Sequence, residues 1–310
     1  MQDILTLGFL ATLLATAWRL ATPLIFASIG EVISERAGIL NIGIEGTMLM
    51  GAFCGFAATF ASGSLMLGLL AGIAAGVASG LLFALLTVTV KANQIVVGAA
   101  INLLGLGLTS FLFRTYYVST GRGVEIAPPI DIPWLSDLPF FGEALFRQNL
   151  IVYSTVIVTI LAALLLYRTS FGLTLRAVGD HPKAVDVAGR SVAAYRYAAV
   201  LMGSGLAGLG GAFLTLGHSN QFVEGMTSGR GFIALAVVVF ARWSPVGAFF
   251  VSILFGLFYA LQLQLQAQPL LNISYQVFQA LPYLMTIIAV CLVGGKSAEP
   301  RRLGVPYGER

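Results

Sequence analysis

Nine apolar runs divide the chain, at residues 4–33, 39–61, 65–90, 93–113, 149–167, 197–217, 231–241, 246–266 and 274–295. Most reach the roughly 20 residues that an α-helix needs to cross about 30 Å of hydrocarbon. The pattern predicts an all-α fold, a polytopic transmembrane helix bundle of eight to ten spans forming a single membrane domain over residues 1–310. Run 4–33 is too long for one straight crossing. Arg19 and Pro23 interrupt it, so a tilted, kinked helix or two short helices are expected there. Run 231–241 is too short to cross alone and reads as re-entrant or broken.

Composition points the same way. Of the 310 residues, 58% are hydrophobic and 10% are charged. A soluble globular domain carries about 25% charged residues, so the polar groups needed to cover a water-facing surface are missing. A net charge of +4 does not indicate nucleic acid, because the basic residues fall in short loops and a tail with no basic face. Cys54 and Cys291 lie inside apolar runs and read as small buried hydrophobes; no metal-ligand spacing is present. The N-terminus has an acidic residue near its start and no basic leader, so it reads as a first membrane segment and not as a cleaved signal peptide.

The positive charges set the topology. Loop 168–196 carries Arg168, Arg176, Lys183, Arg190 and Arg196, and tail 296–310 carries Lys296, Arg301, Arg302 and Arg310. Both are expected in the cytoplasm, which requires an even number of crossings between them, satisfied if run 231–241 counts. Loop 114–148 then faces outward. It is richer in acid than base, and four prolines make it a structured extracytoplasmic cap.

Gly68, Gly72, Gly76 and Gly80 recur every four residues and form a groove along one helix face, a device for tight helix packing that Gly203, Ala207 and Gly211 repeat. Internal packing accounts for most of it; a subunit interface is the other reading.

Three constellations carry candidate chemistry. In residues 34–53, Asn41 and Glu45 fall four apart, on one helical face just inside a span. A carboxylate in hydrocarbon costs about 2.5–3.5 kcal/mol, so Glu45 should face protein or water. Two roles stay open for it, a translocation-path group and a cap on a broken helix. In residues 170–196, Asp180 suits an N-cap, Pro182 a first turn and Gly189 the residue after the end, which predicts a helix over 181–188. That helix, bearing Lys183 and Asp186 and followed by Arg190, is either a mechanical coupling element or an amphipathic helix on lipid headgroups. In residues 216–248, His218, Asn220, Gln221, Glu224 and Arg230 precede the short run, the kind of interrupted segment that forms binding sites in transporters.

Catalysis finds little support. His181 and His218 are the two histidines, placed in different loops, and neither an HExxH nor a P-loop is present. Any ATPase that drives transport is another polypeptide. The chain also lacks the intramembrane relay of Asp, Lys and Arg that a proton pump needs.

Four segments together carry a resemblance: ERAGILNIGIEGTMLMGAF (35–53), RAVGDHPKAVDVAGRSV (176–192), SGLAGLGGAFLTL (204–216) and GRGFIALAVVVFARWSPVGA (229–248). In this order they resemble the permeases of the branched-chain amino acid and simple-sugar ABC importers, most of all the nucleoside-type permeases, over residues 20–295. The resemblance implies a bacterial inner-membrane subunit paired with a second, usually different, permease. It also implies a cytoplasmic ABC ATPase as the site of ATP use, an extracytoplasmic substrate-binding protein or lipoprotein, and no cofactor in this chain. Under it, Asp180, Pro182, Lys183, Asp186, Gly189 and Arg190 form the coupling element to the ATPase. Asn41, Glu45, Gln94 and Asn102 are candidates for the substrate path, able to hydrogen-bond ribose hydroxyls or a base. The implied cargo is a nucleoside, then a simple sugar, then a branched-chain amino acid.

Overall fold

The computed structural model describes residues 7–118, 122–131, 142, 145–266, 284 and 298–308. Its α-helices are, in chain order, α1 (Leu7–Arg36), α2 (Ile44–Ser62), α3 (Leu65–Ala84), α4 (Gln94–Tyr116), α5 (Leu150–Arg168), α6 (Ser170–Asp180), α7 (Pro182–Val187), α8 (Val192–Phe213), α9 (Arg230–Phe240) and α10 (Pro245–Gln266). Short π-helical turns, Leu85–Thr89 and Leu214–Ser219, prolong α3 and α8. Seven described helices are long and apolar enough to cross a membrane, and Arg230–Phe240 is a shorter apolar helix. The protein is a multi-pass helical membrane bundle. The run at 274–295 and Cys291 lie outside the described residues, apart from Leu284.

The described part of run 4–33 lies in one continuous helix, the 30 residues of Leu7–Arg36 with Pro23 inside, about 45 Å long at 1.5 Å per residue. Neighbouring helices make this tolerable by packing around the proline. Arg19, within the same helix, donates through Nε to Gln148 Oε1 (3.4 Å), while Gln148 Nε2 donates to the Ala15 carbonyl (3.2 Å). The charge is thereby tied to the short hairpin β1 (Pro129–Asp131) and β2 (Arg147–Asn149), paired antiparallel with Ile130 opposite Gln148. Local sequence starts most of the other helices. The Ile95 amide donates to Asn93 Oδ1 (2.9 Å), the Val152 amide to Asn149 Oδ1 (2.9 Å) and the Gly172 amide to Thr169 Oγ1 (3.0 Å). Such caps satisfy amides that the first helical turn leaves open.

The bundle is built around α8. Of the apolar stretch of α8, 78% is buried, against 28% for α4, which exposes Leu103 and Phe111 as a lipid-facing or partner-facing helix does. Small residues let backbones meet at the centre. Gly68, Gly72, Gly76 and Gly80 are all buried. A Cβ on Gly72 would lie 2.6 Å from the Ala212 Cβ and 3.1 Å from the Gly51 carbonyl, and one on Gly80 would lie 2.5 Å from the Ser204 side chain. On α8, a Cβ on Gly203 would sit 2.5 Å from the Gly30 carbonyl of α1. Both small-residue faces are therefore consumed inside this chain.

Two ends are distinguishable. At one, the Arg302 amide donates to the Gly179 carbonyl (2.9 Å), the Gly304 amide to the Gly38 carbonyl (3.1 Å), and Arg36 Nε to the Trp243 carbonyl (3.0 Å). Arg36, Lys91, Arg176, Lys183, Arg190, Arg242, Arg301 and Arg302 gather there, and we term it the basic end. At the other, the Val124 amide donates to the Asn220 carbonyl and the Ala127 amide to the Leu216 carbonyl (both 2.8 Å), so residues 122–131 fold over the end of α8.

Candidate functional site

Two breaks in the helical chain face each other inside the bundle. The first separates α1 from α2 at residues 37–43. Sequence spacing places Asn41 and Glu45 on one helical face; in the structure α2 begins only at Ile44, so Asn41 precedes the helix. Buried Asn41 turns its side chain on its own backbone, accepting from the Gly43 amide (3.0 Å), and its Nδ2 donates to Ser204 Oγ (3.4 Å). The unwound stretch needs partners for its peptide groups, since none come from water at this depth. The Asn41 amide donates to Glu31 Oε1 (2.8 Å). From α4, Gln94 Oε1 accepts from the Leu40 amide (2.8 Å). Asn102 Oδ1 accepts from the Gly46 amide (2.8 Å), and its Nδ2 donates to the Ile42 carbonyl (3.0 Å). Gln94 and Asn102 are eight apart on α4, hence on one face, and together they clamp residues 40–46.

The second break precedes α9. Ser228 (φ 48°) and Gly229 (φ +80°) are both left-handed, and α9 starts at Arg230. Its 11 residues span only about 16 Å, half a bilayer. The half-buried Glu45 joins the two breaks: Oε1 accepts from the Gly229 amide (2.7 Å) and Oε2 from the Gly231 amide (2.6 Å). Its carboxylate lies in the first turn of α2 and at the N-terminus of α9, where both helix dipoles favour negative charge. A Cβ on Gly231 would come within 2.6 Å of Glu45 Cα, so the two helix starts touch backbone to backbone. The other end of α9 is held with equal care. Arg242 (φ 52°) and Trp243 (φ 57°) turn left-handed, Trp243 Nε1 donates to Glu35, and Arg36 donates to the Trp243 and Arg242 carbonyls.

The four polar residues singled out in the sequence thus come together, though much of their bonding is spent on an interrupted backbone. Glu31 and Trp243 escaped sequence reading; these two and Glu35, which the sequence places at the polar break between two apolar runs, are nearly fully buried. The signal for Glu31 was present, an acid at the end of a long apolar run. Glu45→Ala is expected to orphan two amides and cost about 2–6 kcal/mol, at about 1–3 kcal/mol per unsatisfied donor. Glu45→Gln keeps an acceptor and is expected to cost clearly less. Thermal unfolding of the two variants in detergent checks the order.

At the basic end, the segment read as one helix over 181–188 is shorter, with two corrections. The helix is Pro182–Val187, and its N-cap position is His181, without a side-chain cap. Asp180 instead ends α6, a helix not foreseen, and its Oδ1 accepts from the Arg301 amide (3.2 Å). Pro182 does occupy the first turn, and Gly189 follows the helix at φ +74°. Lys183 is exposed, and Arg190 Nη1 donates to Thr174 Oγ1 (2.7 Å) and Tyr195 OH (3.0 Å), tying the loop to α6 and α8. The Tyr307 hydroxyl donates to Asp186 Oδ2 (2.8 Å). This bond holds the Tyr307 phenol above its ordinary pKa, so the phenol keeps its proton, and can donate, through neutral pH. Residues 298–308 thereby strap α7 to α6 and to the end of α1. Arg196, counted by sequence among loop charges, is in fact 1% exposed.

Comparison with known proteins adds a lineage. Residues 13–290 match the family described as branched-chain amino acid transport system / permease component. A putative glucose ABC transporter permease of Haloferax volcanii is 40% identical over 97% of this chain and 96% of its own length. A nucleoside ABC transporter permease of Lactococcus lactis is 39% identical and a guanosine ABC transporter permease of Bacillus subtilis 36%, each over 93% of both chains. No solved structure matches.

Proposed function

The chain belongs to the permease-component family of branched-chain amino acid transport systems, and on that premise we propose that it carries nucleosides as one of two permease subunits of an ATP-driven importer. The basic end faces the cytoplasm, in keeping with the excess of Lys and Arg in its loops. A cytoplasmic ABC ATPase docks there on α7, using Asp180, Pro182, Lys183, Asp186, Gly189 and Arg190. A second, different permease completes the path, and an extracytoplasmic binding protein delivers the solute. This chain holds no cofactor of its own; ATP is spent by the ATPase. The ATPase drives the membrane subunits because it binds one of their conformations better than another.

One observation carries the choice of a neutral cargo. A half-helix N-terminus inside a membrane bundle attracts an anionic group of the substrate. In this chain that position is filled by the protein's own Glu45, through the Gly229 and Gly231 amides. A solute carboxylate arriving there would meet a carboxylate, so an amino acid suits the site poorly and a neutral polyol or nucleoside suits it well. Relatives named for guanosine and nucleosides favour the nucleoside, and the relative named for glucose supports simple sugars as the second reading. Uptake of labelled guanosine, uridine, glucose and leucine into vesicles bearing the assembled transporter tests this. ATP-dependent uptake of the nucleosides is expected. Leucine uptake without nucleoside uptake overturns the cargo, and uptake that survives loss of the ATPase overturns the mechanism in favour of a channel or secondary transporter.

A further inference from the structure

We propose that a cavity at the basic end binds a phosphate-bearing anion, held by Arg196, Arg302 and Lys183. The cavity, about 560 Å³ in volume, lies among α7, the base of α8 and residues 302–308. Its size falls in the roughly 300–1,000 Å³ range of small-molecule sites, larger than a bare phosphate and able to admit the group to which a phosphate is esterified. Three cations, Lys183, Arg196 and Arg302, line it against one carboxylate, Asp180, with His181 on the same wall.

Arg196 makes the site more than a basic dent. It is 1% exposed, and among the described residues its Nε and Nη2 make no hydrogen bond. A guanidinium out of water without a counter-charge is strongly unfavourable, and an anion entering the cavity that Arg196 lines would supply one. Three carboxylates of the surrounding elements are engaged elsewhere. Asp180 of α6 accepts from the Arg301 amide, Asp186 of α7 from Tyr307, and Glu35 of α1 from Trp243. Arg301 adds positive charge beside the cavity, its Nη1 lying 3.4 Å from His181 Nε2. Gly38 packs closely against the guanidinium, where a Cβ would stand 3.3 Å from Arg196 Nη2. The phosphate belongs either to a soluble compound or to an anionic lipid headgroup, the recognised chemistry being the same. An anion in this cavity would also stiffen the seat of α7. That consequence rests on the coupling reading above, whereas the binding itself does not.

The test uses the assembled transporter in phosphatidylcholine nanodiscs titrated with inorganic phosphate, and in parallel nanodiscs containing phosphatidylglycerol without phosphate. Binding and the unfolding midpoint are read in both. Saturable stabilisation is expected in at least one arm, weakened about tenfold or more by Arg302→Gln, as loss of a charge-assisted bond requires. Arg196→Gln is expected to weaken it further, and Arg196→Lys, which keeps the charge and loses the fork, to fall between wild type and Arg196→Gln. If both Arg196 variants fail to fold, Arg302→Gln alone decides. A response to phosphate in neutral lipid assigns the soluble source; a response to phosphatidylglycerol alone assigns the headgroup. No saturable effect in either arm, or an effect untouched by Arg302→Gln, overturns the proposal. So does phosphate binding that appears only after the ATPase is stripped away, because the fork then serves a carboxylate of that partner.

Discussion

Gly208→Val is expected to prevent the bundle from assembling. Gly208 is where three helices meet by their backbones: a Cβ there would press on the Gly72 carbonyl and lie 2.8 Å from Gly76 Cα, both of α3. From α2, a Cβ on Gly51 would come within 2.6 Å of Gly208 Cα. None of these obstacles is the flexible end of a side chain, so relief requires helices to part. Overpacking a well-filled core costs about 1–3 kcal/mol and sometimes more, and the upper end or beyond is expected when backbone must move on two sides. Gly107→Ala is the matched control. A Cβ at Gly107 would find nothing within 4 Å, so the change is expected to be neutral or to gain up to about 1 kcal/mol of helix propensity. Yield of monodisperse protein and the unfolding midpoint compare them. Equal behaviour of the two variants would refute the close-packing account.

Gly189→Pro is expected to cut uptake by about tenfold or more while leaving a folded bundle. Gly189 follows α7 at φ +74°, and a Cβ there would touch nothing within 4 Å. The effect is therefore on the backbone: proline is fixed near φ −65° and cannot adopt the turn, and it lacks the amide that donates to the Asp186 carbonyl (2.9 Å). The end of α7 is re-aimed without disturbing the helices that cross the membrane. If α7 couples the ATPase to the path, uptake falls by about tenfold or more, as a misalignment worth 1.4 kcal/mol would produce, while ATP hydrolysis continues. Gly189→Ala, which pays about 1–2 kcal/mol for the left-handed turn, should lie between. Uptake and hydrolysis measured on the same vesicles distinguish this from simple loss of protein. Undiminished uptake in Gly189→Pro would remove α7 from the coupling role.

What the sequence made legible was set by local physics. Apolar runs located the crossings, the four-residue glycine spacing located a packing face, and the shortness of run 231–241 located a broken segment, which the structure describes as α9. What stayed hidden depends on partners far along the chain. A spacing of four between Asn41 and Glu45 is helical on its face, yet the helix waits until Ile44 because Glu31, Gln94 and Asn102 supply the bonds that helical turns would have made. Glu45 finds its amides more than 180 residues away. Asp180 has the chemistry of a cap, but α6 runs up to it and the Arg301 amide takes its carboxylate. Arg196 reads as a loop charge because nothing local announces that residues 302–308 help enclose it.

The strap also imposes an order on biosynthesis. Gly38 accepts from Gly304, and 266 residues of chain must leave the ribosome between them. At about 5–20 residues per second the Gly38 carbonyl waits roughly 10–50 s for its donor. The Gly179 carbonyl and the Asp186 carboxylate wait as well, for Arg302 and Tyr307. Nascent or prematurely terminated chains that lack residues 298–308 present α7 unfastened, so this end of the subunit is completed only after the helices before it have been made.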